Sequence, residues 1–317
     1  MDQTSRIAVC SRSFSQNAVL RAELSKQFSQ IRFNESGVQL QGNDLIEFLK
    51  GADRAIVALE EMNDSVLSQL PELKVIGKYG VGLDKIDFQS LQKHGVKMGW
   101  TPGVNAPAVA ELTLAMALTI VRNIHTSHAL LKAQGWKQIQ GKQLSSMTYG
   151  ILGCGHVGKS LAKLLQPFGC KILVCDIKSQ ADFYHTYSLK EVSLSDLISQ
   201  SDVLSIHIPK NERTKNILNR EQLSSMKKGS YLINTARGGL IDEVAVLEFL
   251  QSGQLAGAAF DVFDQEPPTS SDLISHPNCY STTHIGGSSQ EAILAMGRAA
   301  ILGLSQYRDA MTYEEYK

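Results

Sequence analysis

Neither sign of charge is in excess in this chain: Lys plus Arg and Asp plus Glu both number 31, and the formal net charge is zero. No sequence-wide positive field exists to draw nucleic acid or an anionic membrane, so neither is expected as a partner. Long apolar runs are missing too. The longest, Ala106 to Val121, is interrupted by Glu111, Thr113 and Thr119, which falls short of a clean membrane span. Cysteine is sparse and odd in number, with five at positions 10, 154, 170, 175 and 279, lacking paired spacing and lying mostly in apolar, strand-like runs. Thiols in a reducing compartment are expected rather than disulfides, and no metal-ligand pattern emerges, so no metal is expected. Near the N-terminus, Ile7 to Cys10 is an apolar run of only four residues before Ser11 and Arg12, too short for a signal-peptide core. A cytoplasmic protein is expected.

What is present is an alternation. Over 317 residues, short β-rich runs trade places with helix-period segments, which predicts an α/β architecture of two domains with parallel strands and crossover helices. In the first third, strands are expected at Ile7 to Cys10, Ala55 to Leu59, Lys74 to Lys78 and Val96 to Trp100, with helices at Ser15 to Phe28 and Asp44 to Lys50. After Thr101-Pro102-Gly103, the segment from Ala106 to about Gln134 reads as one buried connecting helix. A second series of strands begins at Thr148 to Gly153 and continues at Lys171 to Asp176, Asp202 to Ile208, Ser230 to Ala236, Ala256 to Phe263 and Tyr280 to Thr283. A last helix, Ser288 to about Asp309, is expected to return to the first unit. That makes residues 1–101 and 289–317 one discontinuous domain and 102–288 the other.

Gly153-Cys154-Gly155-His156-Val157-Gly158 stands between the apolar run Tyr149 to Leu152 and a helix-period segment. In that context the first glycine permits a tight turn, the second admits a pyrophosphate and the third lets helix and strand pack closely. Asp176, about 20 residues on, closes the next strand, where a carboxylate accepts hydrogen bonds from ribose hydroxyls and repels a 2′-phosphate. NAD is therefore expected over NADP, with Lys178 as a feature that softens the discrimination. A ligand-free close-packed turn is the alternative. His156 fits either a phosphate contact or plain solvent exposure.

In open parallel sheets, ligands sit beyond the carboxyl ends of the strands. Three ends carry unusual chemistry. Arg237 follows Asn234-Thr235-Ala236 beside Gly238 and Gly239, and its fork of donors suits a carboxylate or a carbonyl oxygen gaining charge. Glu266 sits in a proline-stiffened loop after Asp261, and His284 closes the last strand before Gly286 and Gly287. A histidine paired with a carboxylate is a proton-transfer device. Each residue alone reads as a surface charge, a loop acid or a capping histidine; together, at successive strand ends, they read as a site. Gly80-Val81-Gly82 follows a strand of the first unit and exposes backbone amides to an anion, or serves only as a turn.

With these motifs, Lys78 to Asp84, Thr101 to Asn105, Val109-Ala110-Glu111 and the His284 turn, the chain resembles the D-isomer-specific 2-hydroxyacid dehydrogenase family, closest in texture to phosphoglycerate dehydrogenase-like members. The resemblance implies a Rossmann-type doubly wound sheet binding NAD, a smaller flavodoxin-like α/β substrate domain and a small-molecule 2-hydroxy or 2-oxo acid substrate. It implies a catalytic trio of Arg237, Glu266 and His284, with Asp261 and the Thr235-Ala236 backbone beside the nicotinamide and Gly287 among the cofactor-binding residues. His207 and Pro209 then lie over the adenosine, Gly80 and Val81 hold the substrate carboxylate, and Asn105 lines the cleft between the domains. A homodimer is implied as well. Two departures stand out: a threonine usual after His-x-Pro is Asn211, and the arginine of phosphoglycerate-specific members is replaced in Val57-Ala58-Leu59-Glu60-Glu61, which offers no cation to a phosphate. An extension of the kind that confers serine regulation is not expected. The competing class is an NADH-sensing, corepressor-like binding protein on the same scaffold, disfavoured by the full Arg, Glu and His set. Formate-type relatives carry glutamine where this chain has Glu266.

Overall fold

A computed structural model of the chain describes residues 4–269 and 271–316. It divides into two compact units, Met1–Asn105 with Gln290–Lys317, and Ala106–Ser289. The change of unit falls at Asn105, four residues after the expected Thr101.

In the first unit, β1 (Arg6–Val9), β2 (Gln30–Phe33), β3 (Arg54–Val57), β4 (Val75–Lys78) and β5 (Lys97–Gly99) form a parallel sheet in the order β2-β1-β3-β4-β5, and Arg308–Asp309 pairs antiparallel with β5. Strand alternation builds a core on each face: Ala8, Ala55 and Val57 pack on one side, Ile7, Val9 and Ile56 on the other. Helix Gln290–Gly303 lies against β4 and β5, and glycine permits its approach. A Cβ on Gly77 would stand 2.3 Å from Ala300 O.

The second unit holds β6 (Thr148–Leu152), β7 (Lys171–Cys175), β8 (Lys190–Glu191), β9 (Val203–Ile206), β10 (Ser230–Asn234), β11 (Leu255–Phe260) and β12 (Cys279–Ser281). All pair in parallel, in the order β8-β7-β6-β9-β10-β11-β12. The order reverses at β6 and β9, the doubly wound Rossmann pattern with a ligand crevice at the reversal. Helix α1 (Ala106–Val121) buries Val109, Ala110, Thr113, Met116, Ala117 and Ile120, a helical stripe facing the sheet.

The single helix expected from Ala106 to Gln134 is two. Asn123 adopts φ +54°, and a second helix, α2 (Ile124–Lys132), leaves at 64° to α1. The break has a cause in the returning chain: Lys142 N donates to Val121 O, and the Gly141 backbone presses on Arg122. Helix α2 contains no buried residue. The helix expected over Ser15 to Phe28 is likewise split at Asn17, which ends Arg12–Gln16 and caps Ala18–Ser25 through its side chain. Three strands were not anticipated: β2 and β8 are sheet edges whose outer residues face solvent, and Arg308–Asp309 pairs with β5 where the last helix, expected to run to about Asp309, instead ends at Gly303. Among the described residues, no single helix is long and apolar enough to cross a membrane.

Candidate active site

Three glycines of the β6 turn play three different physical parts. Gly153 has φ +93° and a Cβ there would meet His207 O at 2.6 Å, so the turn demands glycine. A Cβ on Gly158 would lie 2.2 Å from Gly153 O, which lets helix α3 (His156–Leu165) close on the strand. Around Gly155 a Cβ would meet nothing within 4 Å. Helix α3 begins there with no side-chain cap, so its first amides remain available to an anion. His156 is exposed and Val157 half-buried on that first turn. Asp176, just after β7, takes Cys154 N on Oδ2 at 2.6 Å and Lys178 N on Oδ1 at 2.9 Å. Its carboxylate is thus tied to the glycine turn it serves. After β9, His207 Nε2 pairs with Ser205 Oγ at 2.8 Å, while Nδ1 is enclosed without a partner and burial pushes the ring pKa down to about 3. Pro209 follows, exposed.

Arg237, Glu266 and His284 follow β10, β11 and β12, which are neighbours in the sheet. Burial of Asn234 beneath this edge is not idle: Oδ1 accepts from Ala236 N at 3.1 Å and Nδ2 donates to Arg237 O at 2.8 Å, shaping the turn that carries the guanidinium. Arg237 Nη1 donates to Ala236 O at 2.7 Å. Thr235 is buried and its Oγ1 lies 2.7 Å from Thr113 Oγ1 of α1. His284 Nδ1 and Glu266 Oε2 meet at 2.7 Å, and Glu266 Oε1 accepts from Phe263 N at 3.1 Å. The pair is half open to solvent.

Asp261 fixes the turn that carries His284. It is 1% exposed and accepts from Thr282 Oγ1 at 2.5 Å, Ile285 N at 2.7 Å and Gly286 N at 2.8 Å, while its carbonyl accepts from His284 N at 2.9 Å. Those four donors hold His284 at φ +56°, a left-handed conformation costly for a side chain with a Cβ. Gly287, half-buried, follows in the same turn. Asn211 folds onto its own loop, its Oδ1 accepting from Arg213 N and Thr214 N.

In the first unit, Gly80 has φ +98°, and neither Gly80 N nor Val81 N donates to any described residue. Asn105, buried, ends this part of the chain. Glu60 turns inward: it is 2% exposed, and Ala58 N donates to its Oε2 at 2.6 Å. Burial raises its carboxyl pKa, against the pull of the Ala58 amide and the Lys78 ammonium.

Residues 114–286 match the family described as D-isomer specific 2-hydroxyacid dehydrogenase, NAD binding domain. The chain is 36% identical to a hydroxypyruvate reductase of Thermotoga maritima over 286 residues, covering 86% of this chain and 92% of the relative. This chain belongs to the D-isomer-specific 2-hydroxyacid dehydrogenase family. It is 35% identical to a D-3-phosphoglycerate dehydrogenase of Bacillus subtilis over 74% of this chain, but spans only 45% of that longer relative. The solved structure of a D-2-hydroxyisocaproate dehydrogenase superposes with a TM-score of 0.83 at 26% identity, covering 94% of this chain and 95% of that one.

Members of the family are NAD-dependent oxidoreductases, and an uncapped helix start, open space at Gly155 and an acid after β7 are features that fit a dinucleotide. Four residues were given no role from the sequence alone. Thr113 and Asn234 are polar residues inside apolar segments, and both turn out to bond the Thr235-Ala236-Arg237 turn. Thr282 anchors Asp261. Lys78, the last residue of a fully buried strand, is the fourth, and a charged residue ending Val-Ile-Gly was the signal.

Proposed function

We propose that this dehydrogenase interconverts a D-2-hydroxy acid and its 2-oxo acid, with His284 exchanging the proton of the C2 oxygen, Glu266 supporting it and Arg237 binding substrate. The observation that carries this reading is the 2.7 Å contact of His284 Nδ1 with Glu266 Oε2, at strand ends beside the one bearing Arg237. With Nδ1 turned to the carboxylate, Nε2 is the nitrogen left to face the substrate. In reduction the imidazolium donates its proton to the carbonyl oxygen; in oxidation neutral imidazole removes the hydroxyl proton. Glu266 stabilises the cation and fixes the tautomer. The glycine turn Gly153–Gly158 and Asp176 would hold NAD, which would supply the hydride acceptor or donor for C2. Arg237 offers the carboxylate and the C2 oxygen charge-assisted hydrogen bonds, each worth about 1.5–3 kcal/mol.

The Gly80 and Val81 amides are assigned to the substrate carboxylate, with Asn105 as a further ligand. Thr235, Ala236, Asp261 and Gly287 are assigned to the nicotinamide side, and His207 and Pro209 to the adenosine side. An inward Glu60, in place of an arginine, favours an unphosphorylated acid, and the Thermotoga relative makes hydroxypyruvate the first candidate. NADH oxidation with hydroxypyruvate, beside a panel of 2-oxo acids and with 3-phosphoglycerate oxidation as the contrast, tests this. Turnover with an unphosphorylated acid that is abolished in His284→Ala, with NADH still bound, is the expected result. Efficient 3-phosphoglycerate oxidation, or undiminished turnover by the variant, contradicts it.

A homodimer and a cytoplasmic location complete the reading. Apolar side chains on and after α2 support the first: Ile124, Leu131 and Trp136 are 53%, 57% and 89% exposed. Light scattering at micromolar concentration reads the mass, and a monomer removes this part. The five free thiols suit a reducing compartment.

A further inference from the structure

We infer that Lys78 and Glu60 are positioning residues that together clamp the ends of β3 and β4 and so hold the Gly80 and Val81 amides in place for an anion. The inference rests on the proposed reading of that loop as the seat of the substrate carboxylate. Lys78 is 4% exposed, and its Nζ donates to Ala58 O at 2.9 Å and to Tyr79 O at 3.0 Å. Ala58 follows β3 and Tyr79 follows β4, so one ammonium ties together the exits of two adjacent strands. Glu60 grips the other side of the same residue, its Oε2 accepting from Ala58 N. Ala58 therefore has its amide held by a buried acid and its carbonyl by a buried amine.

An apolar side chain of lysine's length would fill the same volume at far lower desolvation cost, so packing alone does not account for a charge there. Two consequences of the charge do. The ammonium satisfies carbonyls that leave the ladder where the strands end, and it sits under the carboxylate seat: a Cβ on Gly80 would be 3.7 Å from Lys78 Nζ. In a water-poor loop base, a positive charge at that depth favours an anion above it more strongly than a surface lysine does. Burial raises the Glu60 pKa and the nearby ammonium pulls the other way, so the two buried side chains feel each other across Ala58. Neither side chain is placed to touch the C2 oxygen through the contacts described, so their effect belongs on substrate affinity and not on the chemical step.

The test uses the full chain with Lys78→Met, Lys78→Arg and Glu60→Gln. Amide hydrogen exchange is followed at Ala58 and Tyr79, both hydrogen-bonded in the wild type, together with hydroxypyruvate kinetics at saturating NADH. In Lys78→Met, exchange at these amides is expected to quicken at least tenfold while the Gly153–Gly158 turn is unchanged. KM should rise at least tenfold, kcat should stay within threefold and NADH affinity should not move. Lys78→Arg, which keeps charge and donors, should recover most of the KM. Glu60→Gln keeps an acceptor for Ala58 N but removes the charge, and should shift KM the same way by a smaller factor; it also serves if Lys78→Met does not fold. Unaltered exchange in Lys78→Met, or a KM that stays put, overturns the inference. A wild-type protein inert toward every 2-oxo acid would instead remove the underlying reading of the loop, and the exchange data would still decide whether Lys78 and Glu60 hold it.

Discussion

Both units are parallel α/β sheets, and both put their candidate chemistry just past the carboxyl ends of the strands, but they use different parts of the chain for it. In the second unit, the groups are side chains: Arg237 after β10, Glu266 after β11 and His284 after β12. In the first, they are the backbone amides of Gly80 and Val81, with the buried Lys78 ammonium close to Gly80. A side-chain site needs a rigid frame for rotamers, which Asp261 supplies with three accepted hydrogen bonds. A backbone site needs the chain itself fixed, and a buried clamp is the means at hand. Proton transfer calls for a titratable group, whereas holding a carboxylate calls only for oriented N–H donors.

That contrast can be broken at either end, and the largest effect is expected on the side-chain side. Glu266→Gln keeps the shape but removes the charge beside His284, and kcat should fall by about 10²- to 10³-fold with KM little changed, measured by steady-state NADH oxidation. Next comes the enclosed histidine. His207 is neutral in the folded protein with its pKa pushed down to about 3, so the unfolded chain binds its proton first as pH drops below about 6.5. Stability is therefore full above that value and is lost on acidification toward 3. By pH 4 the loss should be on the order of 2–3 kcal/mol, and His207→Gln should lack it in urea melts at pH 7 and 4. On the backbone side, Gly80→Ala forces a Cβ onto φ +98° and should raise KM about tenfold while sparing kcat. A kcat loss as deep as that of Glu266→Gln would erase the distinction between the two ends. The smallest effect is expected from Asp176→Ala, which should narrow the NAD over NADP preference by about tenfold in paired KM measurements. A wild type that prefers NADP would contradict the assignment.

The same contrast explains what could be read in advance. Side chains announce themselves, so Arg237, Glu266, His284 and Asp176 stood out as candidates from their places after β-rich runs. The glycine turn was legible because three glycines with three different steric duties leave a spacing. Lys78 and Glu60 were not read as a clamp, since nothing in a linear order reveals that one residue's carbonyl and amide are both gripped from below. Asp261 was linked to the cofactor through family resemblance, while its bonds to Thr282, Ile285 and Gly286 join segments more than 20 residues apart in the chain. The break at Asn123 was hidden for a related reason: composition favours helix through Leu131, and only the returning Gly141–Lys142 segment ends it. Edge strands β2 and β8 lack the continuous apolar character that marks the central strands.

The most direct test is a double-mutant cycle on the proton-transfer pair, reading single-turnover NADH oxidation by hydroxypyruvate in Glu266→Gln, His284→Ala and the double variant. If the two residues work as one unit, the double variant is no slower than His284→Ala alone, because the carboxylate acts only through the imidazole. Penalties that multiply, each residue costing its full factor in the absence of the other, would contradict the account.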